Sequence, residues 1–180
     1  MNERRFTGDI DKLRNAERVE RLQMNRVLPY CLAGIAAKSA VDIGTGTGLF
    51  AEAFYKEGLK VCGVDCNSEF LNVARQLLPE IEFFEAPAER LPLADQSADL
   101  VFMGHVLHET DDAAAAMREA FRVTRRRLAV LEWPYVDQPV GPPIDHRIKV
   151  ENIRQLGEAA GFSVCDVIQL RLMQLVIFDR

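Results

Sequence analysis

Val41-Asp42-Ile43-Gly44-Thr45-Gly46-Thr47-Gly48 is the stretch that decides the fold of this chain. A short apolar strand carries a carboxylate near its end and then meets three glycines at alternate positions. Such a turn lets a ligand lie against bare backbone and leads sharply into a helix. Asp42 would repel a pyrophosphate, because unit charges about 4 Å apart interact by roughly 4 kcal/mol at an effective dielectric near 20. A ligand that carries an ammonium and a sulfonium would be attracted instead.

The spacing of the glycines separates two nucleotide classes. The dinucleotide fingerprint is G-x-G-x-x-G, and its third glycine would fall at position 49, where this chain has Leu49. The Tyr-x-x-x-Lys pair of short-chain NAD(P)-dependent oxidoreductases is also missing, since none of the three tyrosines is followed four residues later by lysine. The pattern therefore favours S-adenosyl-L-methionine (SAM) over a dinucleotide.

A second acid, Asp65, stands at the tip of the next apolar run, Leu59 to Val64. It follows the glycine loop by about 20 residues, the separation at which a strand-end acid reaches the ribose of a ligand bound to the first loop. A carboxylate can accept two hydrogen bonds from a vicinal diol. Ribose binding is therefore favoured over a purely local role as a turn or helix-cap residue.

Composition sets broad limits on function. The chain has 180 residues, 48% hydrophobic and 27% charged, which is typical of one globular domain with a sizeable core. The formal net charge of -5 argues against a nucleic-acid partner bound through a basic surface. The dense basic run Arg125-Arg126-Arg127 is expected at the end of a helix, where positive charge complements the helix dipole.

Cysteine usage and hydropathy suggest where the protein works. Cys31, Cys62, Cys66 and Cys165 show no C-x-x-C spacing and have no clustered histidines, so thiols in a reducing compartment are expected rather than metal ligands. The N-terminal stretch is charged, and the longest apolar-leaning run, residues 28–37, is too short to span a bilayer. These features favour a cytoplasmic protein without a membrane partner and leave the oligomeric state open.

Strand and helix patterns alternate along most of the chain. Residues 9–38 show helical spacing, and residues 134–146, with four prolines and one glycine, are expected to form an irregular loop. The expected strands are 40–43, 60–64, 81–84, 100–103, 128–131, 162–169 and 172–179. Helices are expected at 49–57, from Ser68 as N-cap to Pro79, at 112–125 and at 150–160. We expect a single domain over residues 1–180, with residues 1–38 as a helical cap and residues 39–180 as the core.

This alternation predicts a parallel sheet with helices on both faces. The last two strands are too close for a helical crossover, so they should pair antiparallel. Ligands of such sheets bind at the carboxyl ends of the strands. The glycine loop, Asp65, the loop after the third strand and the residues after the fourth strand all lie on that edge, so one site can collect them.

These residues resemble class I SAM-dependent methyltransferases, and most of all the small type 11 enzymes grouped with ubiquinone/menaquinone C-methyltransferases. The resemblance covers roughly residues 38–178. Besides the opening stretch it rests on Gly63-Val64-Asp65, Ala88-Glu89-Arg90-Leu91-Pro92-Leu93, Asp99-Leu100-Val101-Phe102, Val106-Leu107-His108 and Gly157-Glu158-Ala159-Ala160-Gly161-Phe162. The combination is specific to the superfamily and does not indicate a substrate.

The resemblance implies an α/β fold, a Rossmann-like doubly wound sheet of seven strands in the order 3-2-1-4-5-7-6 with strand 7 antiparallel. It implies methyl transfer from SAM to a small-molecule acceptor of unknown identity. The glycine loop would lie under the methionine part and the ribose, Asp65 would hold the ribose hydroxyls, and Cys66 would lie along the adenine. The expected cofactor-binding residues are Asp42, Gly44, Thr45, Gly46, Gly48, Asp65, Cys66, Ala88, Glu89, Gly104 and His105.

The chain departs from the family pattern at two places. Family members commonly carry an Asp before the Ala-Glu pair, where it accepts from the adenine amino group, and this chain has Pro87 there. Adenine recognition would then rest on backbone groups or on Glu89. The Pro-Gly-Gly turn usual before strand five is also absent, and the fold should tolerate that shortened connection.

Three histidines are the candidates for proton transfer. His105 follows strand four and should face the cofactor pocket, which makes it the candidate catalytic residue. His108 is expected to be a hydrogen-bonded structural histidine, and His146 lies in the proline-rich loop, either at the pocket mouth or in solvent. Trp133 and Tyr135 could line an acceptor pocket or belong to the core. A non-catalytic SAM- or nucleoside-binding module remains the main alternative function, ahead of an oxidoreductase.

Overall fold

The computed structural model describes residues 13–180. Its strands are β1 (Ser39–Ile43), β2 (Lys60–Asp65), β3 (Glu82–Glu85), β4 (Ala98–Gly104), β5 (Thr124–Glu132), β6 (Ser163–Gln169) and β7 (Gln174–Asp179). Within the described residues they form one seven-stranded sheet in the order β3-β2-β1-β4-β5-β7-β6. β7 is antiparallel to both of its neighbours, and the other pairs are parallel. The predicted fold class, strand order and antiparallel seventh strand are confirmed.

Helices cover both faces of this sheet. They are α1 (Ala16–Leu22), α2 (Met24–Leu32), α3 (Leu49–Lys56), α4 (Ser68–Leu77), α5 (Ala113–Val123) and α6 (Val150–Ala160), with short 3₁₀ helices at Leu107–Glu109 and Ile144–His146. α3 and α6 end as expected, because Gly58 and Gly161 follow them with φ of 85° and 111°, a conformation that glycine adopts without strain. The N-cap of α4 is Asn67, one residue before the predicted Ser68, and its side chain accepts from the N–H groups of Glu69 and Phe70.

The central strands are buried on both sides. In β4, Leu100 and Phe102 pack into the hydrophobic cluster on one face, whereas Val101 and Met103 pack into the cluster on the other. All four are fully buried. Each such side chain contributes roughly 1.5–3 kcal/mol relative to exposure, so the continuous apolar run of this strand follows from its double coverage.

The N-terminal helical segment is interrupted, although its sequence predicted one largely helical stretch. Gln23 adopts a left-handed conformation with φ of 48° and separates α1 from α2. Leu22, Val27 and Leu28 are buried against the sheet, while Val19 is exposed. The helical spacing in the sequence therefore reflects two short helices whose apolar residues pack into the same part of the core. Residues 9–12 of the predicted helix lie outside the described residues.

The arginine run lies in a strand and not at a helix end, which corrects the prediction. α5 passes directly into β5 at Thr124, whose hydroxyl donates to the carbonyl of Ala120 at 2.6 Å. Arg125 then pairs with the buried Asp99 at 2.6 Å, and Arg127 pairs with Asp179 at 2.7 Å. No residue separates α5 from β5, where the family usually has a Pro-Gly-Gly turn. Arg125 and Arg127 form ion pairs with acidic residues of neighbouring strands instead of complementing a helix dipole.

Candidate active site

One large cavity opens at the carboxyl ends of β1, β2 and β4. Its volume is about 940 Å³, within the range that holds small ligands. The loop after β1, the end of β2, the loop after β3, the residues after β4, and parts of α1 and of loop 134–146 all line it. Every predicted site residue except Gly48 is among the lining residues, so the expectation that one edge collects them is met.

The glycine loop is held by backbone contacts that need its glycines. The N–H groups of Gly44 and Thr45 donate to the carbonyl of Val64 at 2.8 and 3.0 Å. Gly44 has φ of 68°, and a Cβ there would lie 2.5 Å from Val106. Gly48 is the N-cap residue of α3 and has φ of 81°, and a Cβ there would lie 2.7 Å from Leu78. Gly48 therefore serves helix packing, while Gly44 allows the loop to approach the segment after β4.

Asp42 is a buried carboxylate beneath this loop. Its Oδ2 accepts from the Thr45 hydroxyl at 2.7 Å and from the N–H of Ala51 at 3.0 Å. Among residues 13–180, no hydrogen bond reaches its other oxygen. Burial raises the pKa of Asp42 to about 7, against the effect of both hydrogen bonds. A cation in the cavity would favour the charged carboxylate and offset that burial.

Asp65 ties the end of β2 to the glycine loop. One carboxylate oxygen accepts from the N–H of Gly46 at 2.8 Å and the other from the N–H of Asn67 at 2.8 Å. The side chain is half-buried and lines the cavity. Asp65 therefore has a structural role in addition to the ribose contact, which stays a prediction.

The far side of β2 forms the expected adenine end. Cys66 is exposed and lines the cavity together with Pro87 and Ala88. Glu89 also lines it, but its Oε1 accepts from the backbone N–H groups of Asp111 at 2.8 Å and Asp112 at 3.3 Å. Part of this carboxylate is thus used to hold the segment before α5. Contacts of these residues with an adenine stay predictions.

His105 lines the opposite end of the cavity in an unusual backbone conformation. Its φ is 59°, which is uncommon for a residue with a side chain. The ring stacks on Trp133 with centroids 5.0 Å apart, and Nε2 lies 3.0 Å from the sulfur of Met173. Burial, together with the charge of Arg18, lowers the pKa of His105 well below its usual value. The neutral ring lines the cavity, where it can form hydrogen bonds but is a weak base. Its catalytic role stays a prediction.

His108 is both hydrogen-bonded and at the cavity wall. Its Nδ1 lies 2.7 Å from Oε2 of the buried Glu132, whose other oxygen accepts from the backbone N–H of His108. Burial alone would lower the pKa of His108, but the Glu132 carboxylate raises it on balance above its usual value. A carboxylate that orients an imidazole is the arrangement of a supported acid or base. The sequence predicted the structural role and did not predict this pair.

The proline-rich loop is organised by one arginine. The guanidinium of Arg147 donates to four loop carbonyls at 2.8 to 3.1 Å and lies over the Trp133 ring, 5.7 Å from its centroid; the carbonyls belong to Pro134, Val136, Val140 and Pro142. Trp133 lines the cavity as well as packing in the core, whereas Tyr135 is exposed and is not among the lining residues. The loop is therefore fixed where it borders the cavity.

The N-terminal cap reaches the same cavity. Leu13, Arg18, Arg21 and Leu22 line it, and Arg14 donates to the carbonyl of Thr47 at 2.7 Å. This contact places the cap beside the glycine loop. Residues 1–12 of the predicted cap lie outside the described residues.

Sequence comparisons relate the chain to methyltransferases. A family model described as a methyltransferase domain matches residues 41–128. A demethylmenaquinone methyltransferase of Chlorobaculum parvum is 42% identical over 86 residues, which are 47% of this chain and 36% of that protein. An uncharacterized methyltransferase of Mycobacterium bovis is 34% identical over 128 residues, which are 70% of this chain and 48% of that protein. The chain thus spans about half or less of the length of these relatives.

Solved structures share the fold over nearly the whole chain. A SAM-dependent methyltransferase from Aquifex aeolicus superposes with a TM-score of 0.85 at 25% identity, covering 94% of this chain and 96% of that one. A possible histamine N-methyltransferase from Thermotoga maritima has a TM-score of 0.73 at 20% identity and covers 94% and 95%, so its likeness concerns the fold alone. Within residues 13–180, no helix combines the length and apolar character needed to cross a membrane.

Proposed function

We propose that this chain, whose residues 41–128 match a methyltransferase-domain model and whose fold is shared with a SAM-dependent methyltransferase, is a class I SAM-dependent methyltransferase that transfers a methyl group from SAM to a small-molecule acceptor. The observation that carries the proposal is the meeting of Asp42, the glycine loop and Asp65 in one cavity. The other end of that cavity is walled by His105, His108 and Trp133, which leaves space for a second molecule beside the cofactor.

The residues present fit a cationic nucleoside. A Cβ on Gly46 would meet only Leu13, at 3.7 Å, so the loop is open on its cavity side. Asp42 is held with a raised pKa that a positive ligand would bring down. Asp65, Cys66 and Ala88 would hold the ribose and the adenine. When bound, SAM supplies a methyl group activated by its sulfonium.

The protein would contribute mainly positioning and the handling of a proton. Trp133 and the loop that Arg147 holds by hydrogen bonds form one side of the cavity, against which an acceptor can be oriented. If the acceptor atom carries a proton, His108 is better placed to take it than His105, because Glu132 supports a charged His108 whereas burial disfavours a charged His105. Nε2 of His108 lies 3.7 Å from the carboxylate of Glu109, which is too far for a hydrogen bond, so this nitrogen can accept a proton from an acceptor.

A non-catalytic module that holds SAM or a nucleoside is the second candidate. It is favoured by Pro87, which lines the cavity at the position where the family usually has an adenine-binding Asp. Such a module would bind the cofactor but release no demethylated product. Binding and turnover must therefore be measured separately.

The first experiment is a thermal-shift titration with S-adenosylhomocysteine, run beside NAD and NADP. A ligand at about 100 times its dissociation constant should stabilise the fold by roughly 2.7 kcal/mol. We expect a shift with S-adenosylhomocysteine only, weakened in Asp65→Asn and unchanged in Asp145→Asn, an exposed carboxylate away from the cavity. A shift with a dinucleotide alone would overturn the proposal.

Turnover is then followed as release of S-adenosylhomocysteine from SAM across a panel of acceptors. The panel holds phenols, quinols, amines and small carboxylic acids, and the names of the quinone methyltransferase relatives justify the quinol arm. Product formation with any acceptor supports the enzyme. Tight cofactor binding without product across the panel would instead favour the binding module.

A further inference from the structure

Two arginines of α1, Arg18 and Arg21, line the cavity without a full set of partners. Arg18 makes no ion pair with any residue in the range 13–180. Arg21 meets the exposed Glu17 at 3.4 Å, a surface contact worth little. The Nε atoms of both arginines are buried and have no hydrogen-bond partner among the described residues. A buried donor without a partner is costly, so a ligand that accepts hydrogen bonds from these two Nε–H groups would remove that cost.

Three other arginines of the described residues have hydrogen-bond partners where they leave solvent. Arg127 is bound by both oxygens of Asp179 and by the carbonyl of Ala33. Arg122 binds Glu119, Asp95 and two carbonyls, and Arg147 binds four. The lack of partners is therefore not a general feature of how arginines pack in this chain. It is a feature of the cavity.

The position of the two arginines separates them from the glycine loop. The start of the cap lies over that loop, where Leu13 faces Gly46 and Arg14 binds the carbonyl of Thr47. Arg18 and Arg21 come later in α1, and the charges of both help to lower the pKa of His105. They therefore face the end of the cavity formed by His105 and Trp133, beyond the loop expected to carry the cofactor.

The charges at this end do not balance. Burial and the like charge of Arg21 lower the pKa of Arg18, and the carboxylate of Glu109 acts in the opposite direction. The nearby Glu132 is already paired with His108 at 2.7 Å. Among residues 13–180, Arg18 is thus opposed by Glu109 and Arg21 by the exposed Glu17, and a further anion would complete the cluster.

We propose that Arg18 and Arg21 bind a carboxylate carried by the methyl acceptor, which is therefore a small acid. Guanidinium groups bind carboxylates through paired, charge-assisted hydrogen bonds. Trp133 lines the same end of the cavity and adds an apolar contact for the body of such an acid. The buried Nδ1 of His105, which has no partner among the described residues, offers a further hydrogen bond. The assignment rests on the proposed methyl transfer, since it names the class of acceptor.

The test uses calorimetric titration at low ionic strength, where screening is weakest. The proteins are the wild type, Arg18→Gln, Arg21→Gln, the double variant, and Arg26→Gln as a control on the exposed side of α2. The ligands are benzoate and 4-hydroxybenzoate, each beside its neutral amide, together with S-adenosylhomocysteine and 5′-methylthioadenosine. The acids are titrated into the S-adenosylhomocysteine complex and also into the free protein, so that the arginines are tested even if cofactor binding fails.

We expect wild type and Arg26→Gln to bind an acid at least about tenfold more tightly than its amide, and the double variant to lose that preference. S-adenosylhomocysteine should bind all the proteins within about threefold. Two outcomes would overturn the proposal. One is that no acid is preferred over its amide by the wild type. The other is that the double variant loses S-adenosylhomocysteine while keeping 5′-methylthioadenosine, which would assign the arginines to the carboxylate of the cofactor.

Discussion

Replacing Asp42 by Asn should stabilise the free protein in a way that depends on pH. Burial raises the pKa of this carboxyl from about 3.8, its ordinary value, to about 7 in the folded chain. Between these values the folded protein keeps a proton that the unfolded chain releases, so wild-type stability falls as the pH rises. At about 1.4 kcal/mol for each pH unit between the two pKa values, the loss reaches about 4 kcal/mol above pH 7 and vanishes below about pH 4.

The amide keeps the local structure while it removes this titration. Its carbonyl oxygen can still accept from the Thr45 hydroxyl and the Ala51 N–H, which both reach the same oxygen of Asp42. We therefore expect the free energies of unfolding of Asp42→Asn and wild type to agree near pH 4. The variant should be more stable by up to about 4 kcal/mol near pH 8. It should also bind SAM more weakly, because the buried charge that faces the cavity is gone.

The measurement is urea unfolding of both proteins at several pH values between about 4 and 8, at constant ionic strength. His108, whose pKa is raised, titrates in both proteins, so the difference between them isolates Asp42. Asp145→Asn, an exposed carboxylate, is the matched control and should follow the wild type. A difference between Asp42→Asn and wild type that stays constant with pH would refute the reasoning.

Three further changes test other parts of the structure. Arg147→Gln should lower stability by about 3 kcal/mol and expose loop 134–146 to proteolysis, because charge-assisted bonds to four carbonyls are lost; an unchanged digestion rate would contradict this. Gly157→Ala should cost about 1–3 kcal/mol in urea unfolding, since its Cβ would lie 2.2 Å from Phe178, and Phe178→Leu should restore part of the loss. Glu132→Gln should lower the pKa of His108 measured by NMR, and the stability that the wild-type pair contributes below pH 6.5 should fade as the pH rises through the raised pKa.

The sheet could be predicted from sequence because its signals are local. The apolar run at Leu100–Met103 indicates a strand covered on both faces, and Gly161 marks a helix end whatever the rest of the chain does. The antiparallel pairing of the last two strands followed from the short loop between them, whereas the strand order and the antiparallel direction of strand 7 came from the family resemblance. These features depend on hydrophobic burial and backbone geometry, which a single sequence displays directly.

The errors arose where tertiary pairing outweighed a local pattern. The sequence pattern placed Arg125 and Arg127 at the end of a helix, but β5 extends through both residues. Their countercharges, Asp99 and Asp179, come from distant parts of the chain. The His108–Glu132 pair was missed for a similar reason. Both residues follow central strands at the same sheet edge, so their proximity could have been inferred from the topology, but the hydrogen bond needs the coordinates.

The polar groups that the fold leaves unsatisfied indicate where a ligand completes it. Six buried side-chain polar atoms lack a hydrogen-bond partner among residues 13–180, and four of them belong to residues that line the cavity, namely Arg18, Arg21, Thr47 and His105. The costly burial of Asp42 lies at the same place. Natural sequences keep such violations mainly where function requires them. The four groups are two arginines, a threonine and a histidine, so a ligand that brings hydrogen-bond acceptors, and above all an anionic group near Arg18 and Arg21, would satisfy them.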